Sequence, residues 1–211
     1  MEIYSTEEQQ AEAIKGFFKE NGLTIAVGII GGLSIMWGWK WYNTSQLQAS
    51  ESASDAYSQL IENAGKADSD VLAKSDDFIK NNAGSNYSVL AAFVAAKEAV
   101  EAKELDKAAE KLNWVVANTQ VAELKAVALV RLARIQVELN KLDEALANLN
   151  KPMPTSYDAT KAEIKGDIFI AKGEKDKARE QYQIAIDANG AENNPLLQMK
   201  LDNLAVAEPK L

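Results

Sequence analysis

The 211-residue sequence contains no cysteine and no histidine. Without thiolate or imidazole, a zinc site, a Ser-His-Asp or Cys-His catalytic system and thiol redox chemistry are all ruled out. The lack of cysteine also fits an oxidising compartment. Only four prolines occur, which argues against long disordered linkers. No segment is basic: residues 1–22 hold two Lys against five Glu, residues 23–42 hold Lys40 alone, and the remainder holds twenty basic against twenty-six acidic side chains. Phosphate binding needs clustered cations that release counterions, so no nucleic-acid partner is expected. Neither a GxGxxG nor a GxxxxGKS/T run is present, so no cofactor is expected. Acidic pairs such as Asp76-Asp77 are the only conceivable catalytic groups, and none sits in a motif that would shift a pKa. An enzyme is therefore not expected.

Residues 23–42, LTIAVGIIGGLSIMWGWKWY, form the one long apolar run. Seventeen residues from Leu23 to Trp39 pass without a charge and span roughly 26 Å as a helix, or about 30 Å when extended to Tyr42. That length crosses one bilayer. Lys40 can snorkel, and Trp37, Trp39, Trp41 and Tyr42 crowd one end as interfacial anchors do. A cleaved signal would place small residues where the Trp cluster stands, and a buried soluble helix would need a polar face. A permanent signal anchor is the reading that remains. Lys15 and Lys19 precede the run and only Lys40 follows it before Lys66, which favours a cytoplasmic N-terminus. Gly28 and Gly32, one turn apart, could admit a second membrane helix closely, or could simply reflect the frequency of glycine in such helices.

Beyond Tyr42 the apolar residues return at helical spacing, as at Ala53, Tyr57, Leu60 and Ile61, and strand-like alternation is nowhere sustained. Gly65, Gly84 and Asn81-Asn82 punctuate these helices. Three stretches align: KELDKAAEKLNWVVAN from Lys103, NKLDEALANLNK from Asn140 and GEKDKAREQYQIAIDAN from Gly173. Their small residues Ala108, Ala145 and Ala178 are 37 and 33 residues apart, bracketing the ~34-residue tetratricopeptide period. Large residues follow four positions later at Leu112, Leu149 and Tyr182, and Ala185 takes the next small position of the third copy. Amphipathic helices precede the turns near 87–101, 123–139 and 158–171, the last with Gly166 at a close-approach position. The pattern resembles tetratricopeptide repeats; an Ala-rich bundle with accidental spacing is the alternative. An all-α solenoid follows, with Pro152-Met153-Pro154 interrupting it and Pro195 starting a capping helix, Leu196–Leu204. A solenoid offers a concave protein-binding surface. Tyr87, Phe93, Trp114, Phe169 and Tyr182 are its aromatic candidates, most of them expected in the core, and Arg131, Arg134 and Arg179 could meet an acidic partner.

The opening MEIYSTEEQQAEAIKGFFKENG, the span followed by GWKWYN, and the closing LLQMKLDNL resemble the family of ancillary SecYEG translocon subunits, the YfgM-like family. Met1-Glu2-Ile3-Tyr4 and Phe17-Phe18 with Glu20-Asn21-Gly22 carry the likeness most specifically. The resemblance implies a cytoplasmic tail (1–22), an inner-membrane signal-anchor helix (23–42) and a periplasmic tetratricopeptide-like domain (43–211). It further implies association with the SecYEG translocon and a membrane-anchored prolyl isomerase-like chaperone, in handing exported chains to periplasmic chaperones. Two other roles stay open. The tail, with Ile14, Phe17 and Phe18 on one apolar face, could restrain a stress-response signalling protein, and Gly28 with Gly32 could make the chain a self-associating scaffold.

Overall fold

In the computed structural model, residues 7–64, 70–188, 190 and 194–204 are described; Met1-Glu2-Ile3-Tyr4 and Gly65 lie outside them. The described residues are helical, with no strand among them. Helix α1 runs Glu7–Asn63, followed by α2 (Val71–Asn81), α3 (Asn86–Glu101), α4 (Leu105–Asn118), α5 (Ala122–Glu138) and α6 (Leu142–Leu149). A 3-10 turn, Thr155–Tyr157, leads into α7 (Asp158–Ala171), α8 (Lys175–Asp187) and α9 (Pro195–Asp202). Two compact units divide the chain, one up to Ser52 and one from Ala53 onward.

Local chemistry explains where these helices start and stop. Asp70 caps α2 by accepting from the Ala73 N–H at 3.2 Å, and Ser85 Oγ accepts from the Tyr87 N–H to open α3. After α6 the Pro152-Met153-Pro154 segment cannot continue a helix, and the chain re-enters through the 3-10 turn. Pro195 occupies the first turn of α9, where its missing N–H costs nothing.

The turns joining α3 to α4, α5 to α6 and α7 to α8 share one conformation. Lys103 (φ 61°), Asn140 (φ 57°) and Gly173 (φ 77°) each take the left-handed region. Behind each, an N–H reaches back to the preceding helix: Glu104 to the Ala99 carbonyl (2.8 Å), Lys141 to Gln136 (2.7 Å) and Glu174 to Phe169 (2.8 Å). This double-bonded termination satisfies carbonyls that the helix end would otherwise leave open. Glycine fits it without strain, whereas lysine carries a Cβ penalty. Lys103→Gly should therefore raise stability by about 0.5–1 kcal/mol, and Gly173→Ala should lower it by about 1 kcal/mol, in urea unfolding followed by circular dichroism.

Three apolar clusters run along the second unit and share helices with one another. The first joins the end of α1 (Ala53, Leu60) to α2, α3, α4 and α5, with Tyr57 tilted against Phe78 and Tyr87. A second joins α5, α6 and α7 through Val130, Ala145, Leu149 and Ile164. The third joins α7, α8 and α9 through Ala162, Tyr182, Ala185 and Leu197. Helix pairs that bury a face only against the next pair form the all-α repeat array that the spacing predicts.

A polar clasp holds α9. Lys200 Nζ lies 2.8 Å from both Glu163 Oε1 and Asp167 Oδ1, and the Tyr182 hydroxyl donates to Asp167 Oδ1 at 2.8 Å. Arg179 Nε donates to the Leu204 carbonyl at 3.0 Å. Burial alone would depress the Lys200 pKa, but the hydrogen bonds and charges of Asp167 and Glu163 outweigh it and raise it. Burial, and then the hydrogen bond to Asp167, raises the Tyr182 phenol. Both groups hold their proton more tightly in the folded chain. Their stabilisation is thus full below the unfolded pKa values of 10.0 and 10.5 and is lost as pH rises through the raised ones. Urea midpoints should fall above about pH 10, and Lys200→Met combined with Tyr182→Phe should lessen that fall.

Candidate partner-binding groove

An apolar recess of the repeat unit lies between α3 and α5. It encloses about 350 Å³, lined by Phe93, Lys97, Val100 and Glu101 of α3 and by Arg131, Arg134 and Ile135 of α5, with Leu112 of α4 also on its wall. Residues 93, 97, 100 and 101 fall at intervals of four, three and one along α3, so one helix face carries them; 131 and 134 share a face of α5 in the same way. Val100 remains 43% exposed, an apolar side chain open to a ligand.

The groove is cationic. The Arg131 guanidinium sits 5.3 Å from the centre of the Phe93 ring, a cation–π contact that fixes its direction. Lys97 is neutralised by Glu101 at 2.9 Å, and the hydrogen bond and charge of that carboxylate raise its pKa. Among the described residues, Arg131 and Arg134 form no ion pair within 4.0 Å. By contrast Arg179 is held by Asp176 at 2.9 Å and by the Leu204 carbonyl, so it belongs to the clasp.

A second recess, between α2 and α4, is polar and internally paired. Lys111 Nζ lies 2.6 Å from Asp76 Oδ1, and Lys107 Nζ lies 2.8 Å from Glu104 Oε2. Burial would lower the Lys111 pKa, but the hydrogen bonds and charges of Asp76 and Glu110 together outweigh it and raise it. Asp76 is therefore tied to a cation.

Of the aromatic candidates only Phe93 lines the groove. Tyr87 and Trp114 pack against the first cluster, and Phe169 packs against the third with Lys177 Nζ 5.5 Å from its ring centre. Tyr182 is 3% exposed and filled into the core. Ala108, Ala145, Ala178 and Ala185 are fully buried, as are Leu112 and Leu149. Gly166 is buried too, and a Cβ there would fall on the Tyr182 ring. Ala96 and Ala133, twelve residues before Ala108 and Ala145 as Gly166 is before Ala178, are buried small positions that sequence reading missed. The twelve-residue interval was the signal that could have found them.

A family model described as a tetratricopeptide repeat-like domain matches residues 15–206. The chain is also 35% identical over 207 residues to the ancillary SecYEG translocon subunit of Escherichia coli (strain K12), covering 98% of this chain and 100% of that one. It belongs to the family of ancillary SecYEG translocon subunits. The subunit of Haemophilus influenzae is 33% identical over 94% of this chain and 97% of its own. That of Neisseria gonorrhoeae is 27% identical over 97% and 100%. The resemblance read from the N-terminal motif and GWKWYN is thus borne out.

In this member of the ancillary subunit family, α1 is long and apolar enough to cross a membrane. Trp37, Trp39, Trp41 and Tyr42 are exposed around it. A Cβ added at Gly28 or Gly32 would meet nothing within 4 Å, so both glycines open onto the helix surface. Near the start of the helix Ile14, Phe17 and Phe18 are also exposed, the two rings meeting edge to face at 5.9 Å.

Proposed function

We propose that this chain is a non-enzymatic, membrane-tethered adaptor of the SecYEG protein-export channel. Residues 23–42 anchor it in the inner membrane, residues 1–22 remain in the cytoplasm and residues 43–211 work in the periplasm. There the repeat domain binds translocon subunits and a membrane-anchored prolyl isomerase-like chaperone, helping exported chains pass to periplasmic chaperones. The observation that carries this reading is the near full-length match to relatives named as ancillary SecYEG translocon subunits. The long apolar helix and the open groove between α3 and α5 fit it. Trp37, Trp39, Trp41 and Tyr42 act as interfacial anchors, and Gly28 with Gly32 forms a face for another membrane helix.

Photocrosslinking probes at exposed positions along residues 87–190 test the adaptor role in intact membranes. Adducts with translocon subunits or with the chaperone are expected; labelling of neither would refute it. Protease added to intact spheroplasts should digest the repeat domain, and a protected domain would reverse the topology. Replacing Gly28 and Gly32 together by Ile should reduce co-purification of membrane partners, because two branched side chains block the close approach that small residues permit. Unchanged co-purification would remove that face from the interaction.

A further inference from the structure

We infer that the groove between α3 and α5 takes a short, unfolded polypeptide segment in which an acidic side chain stands beside an apolar one. The inference deepens the adaptor reading, since it rests on the repeat domain being a protein-binding module, and it names what that module selects.

Charge and shape argue for this occupant. The sequence holds only three arginines, and two of them, Arg131 and Arg134, line this one groove. Neither has a carboxylate partner among the described residues, whereas the acid on the same wall, Glu101, is already held by Lys97. A guanidinium presents a planar fork that suits a carboxylate, and Arg131 is steadied against Phe93 before any ligand arrives. Beyond residue 42 acidic side chains outnumber basic ones by twenty-six to twenty, so an acidic segment is repelled by most of the domain and admitted at this cationic place. Beside the arginines, Phe93, Val100 and Ile135 offer an apolar wall. A volume of about 350 Å³ is at the small end of ligand pockets, enough for a few side chains and far too small for a folded domain.

Fluorescence anisotropy with the full chain in nanodiscs of zwitterionic lipid tests this. The probe is a labelled peptide with the core Glu-Leu-Phe-Glu between Gly-Ser arms, compared with versions carrying Gln or Lys in place of both Glu. The acidic peptide should bind about tenfold more tightly than the Gln peptide, with an affinity that falls as salt rises, and the Lys peptide should bind weakest. Arg131→Gln and Arg134→Gln should each weaken the acidic peptide by about tenfold and leave the Gln peptide unchanged. The double variant R131E/R134E should reverse the preference towards Lys. Both side chains are exposed, so helical content and melting should be unaltered, and the charge-reversal arm separates lost recognition from lost folding. Equal affinity for all three peptides, absence of binding, or a preference that survives the substitutions would overturn the inference. No translocon is present in the assay. Failure of the adaptor reading in membranes and failure of the groove to select acidic segments are therefore seen separately.

Discussion

Gly166→Val will lower the unfolding free energy by about 3 kcal/mol. Gly166 lies in α7 opposite the Tyr182 ring, which is 3% exposed and tied through its hydroxyl to Asp167 at 2.8 Å. A Cβ at this position would overlap ring carbons that have nowhere to go. Alanine is the milder test: its overlap is smaller, and its better helix propensity returns about 1 kcal/mol. The other two repeats show how the fit can be restored. Sixteen residues separate Gly166 from Tyr182, and the same interval separates Ala96 from Leu112 and Ala133 from Leu149. Where the larger residue is leucine, the small residue is alanine; where it is tyrosine, only glycine remains. Gly166→Ala should therefore be destabilising with Tyr182 present and close to neutral in a Tyr182→Leu background. A double-mutant cycle in urea should return a coupling energy of about 1–2 kcal/mol. Additive effects would show that ring and glycine do not constrain each other.

The same pair shows what could be read before any coordinates. The repeat phase was legible because Ala108, Ala145 and Ala178 recur with a period that few other folds share, and each is fully buried. Pro195 marked the last helix to within a residue at its start, although α9 ends at Asp202, earlier than the Leu204 expected from sequence. The continuity of α1 was harder to read. Apolar length fixes residues 23–42, but residues 43–52 are exposed and mostly polar, with Leu47 the one large apolar side chain, and hydrophobic periodicity says little about such a stretch. The helix continues through them because no glycine or proline stands between Gly38 and Gly65.

Turns and grooves depend on more distant information. Gly173 announces its left-handed turn, whereas Lys103 adopts the same φ only because the flanking helices pack as they do. Phe93, Arg131 and Arg134 were each noticeable alone. Their meeting in one groove depends on α3 and α5 lying side by side, a consequence of repeat stacking that residue spacing within either helix does not contain.

Leu197→Ala should release α9 and lower stability by about 2–4 kcal/mol. Leu197 is 1% exposed and is the buried side chain through which α9 enters the cluster of Ala162, Ala178, Tyr182 and Ala185. At eight residues α9 is too short to hold its own helix in water, so its order depends on docking. Truncation removes three buried heavy atoms and leaves a cavity in the third cluster that a short helix cannot close. The clasp of Lys200 with Glu163 and Asp167 would persist only in part, since those groups are each partly solvated and exposed ion pairs contribute little. Hydrogen exchange locates the effect. Amides of α8 and α9 should lose protection first, while those of α3 and α4, which belong to the first cluster, should keep theirs, as expected for an array whose repeats touch only their neighbours. Uniform loss of protection along the unit would instead mean that the terminal cap and the groove-forming repeats unfold as one cooperative body.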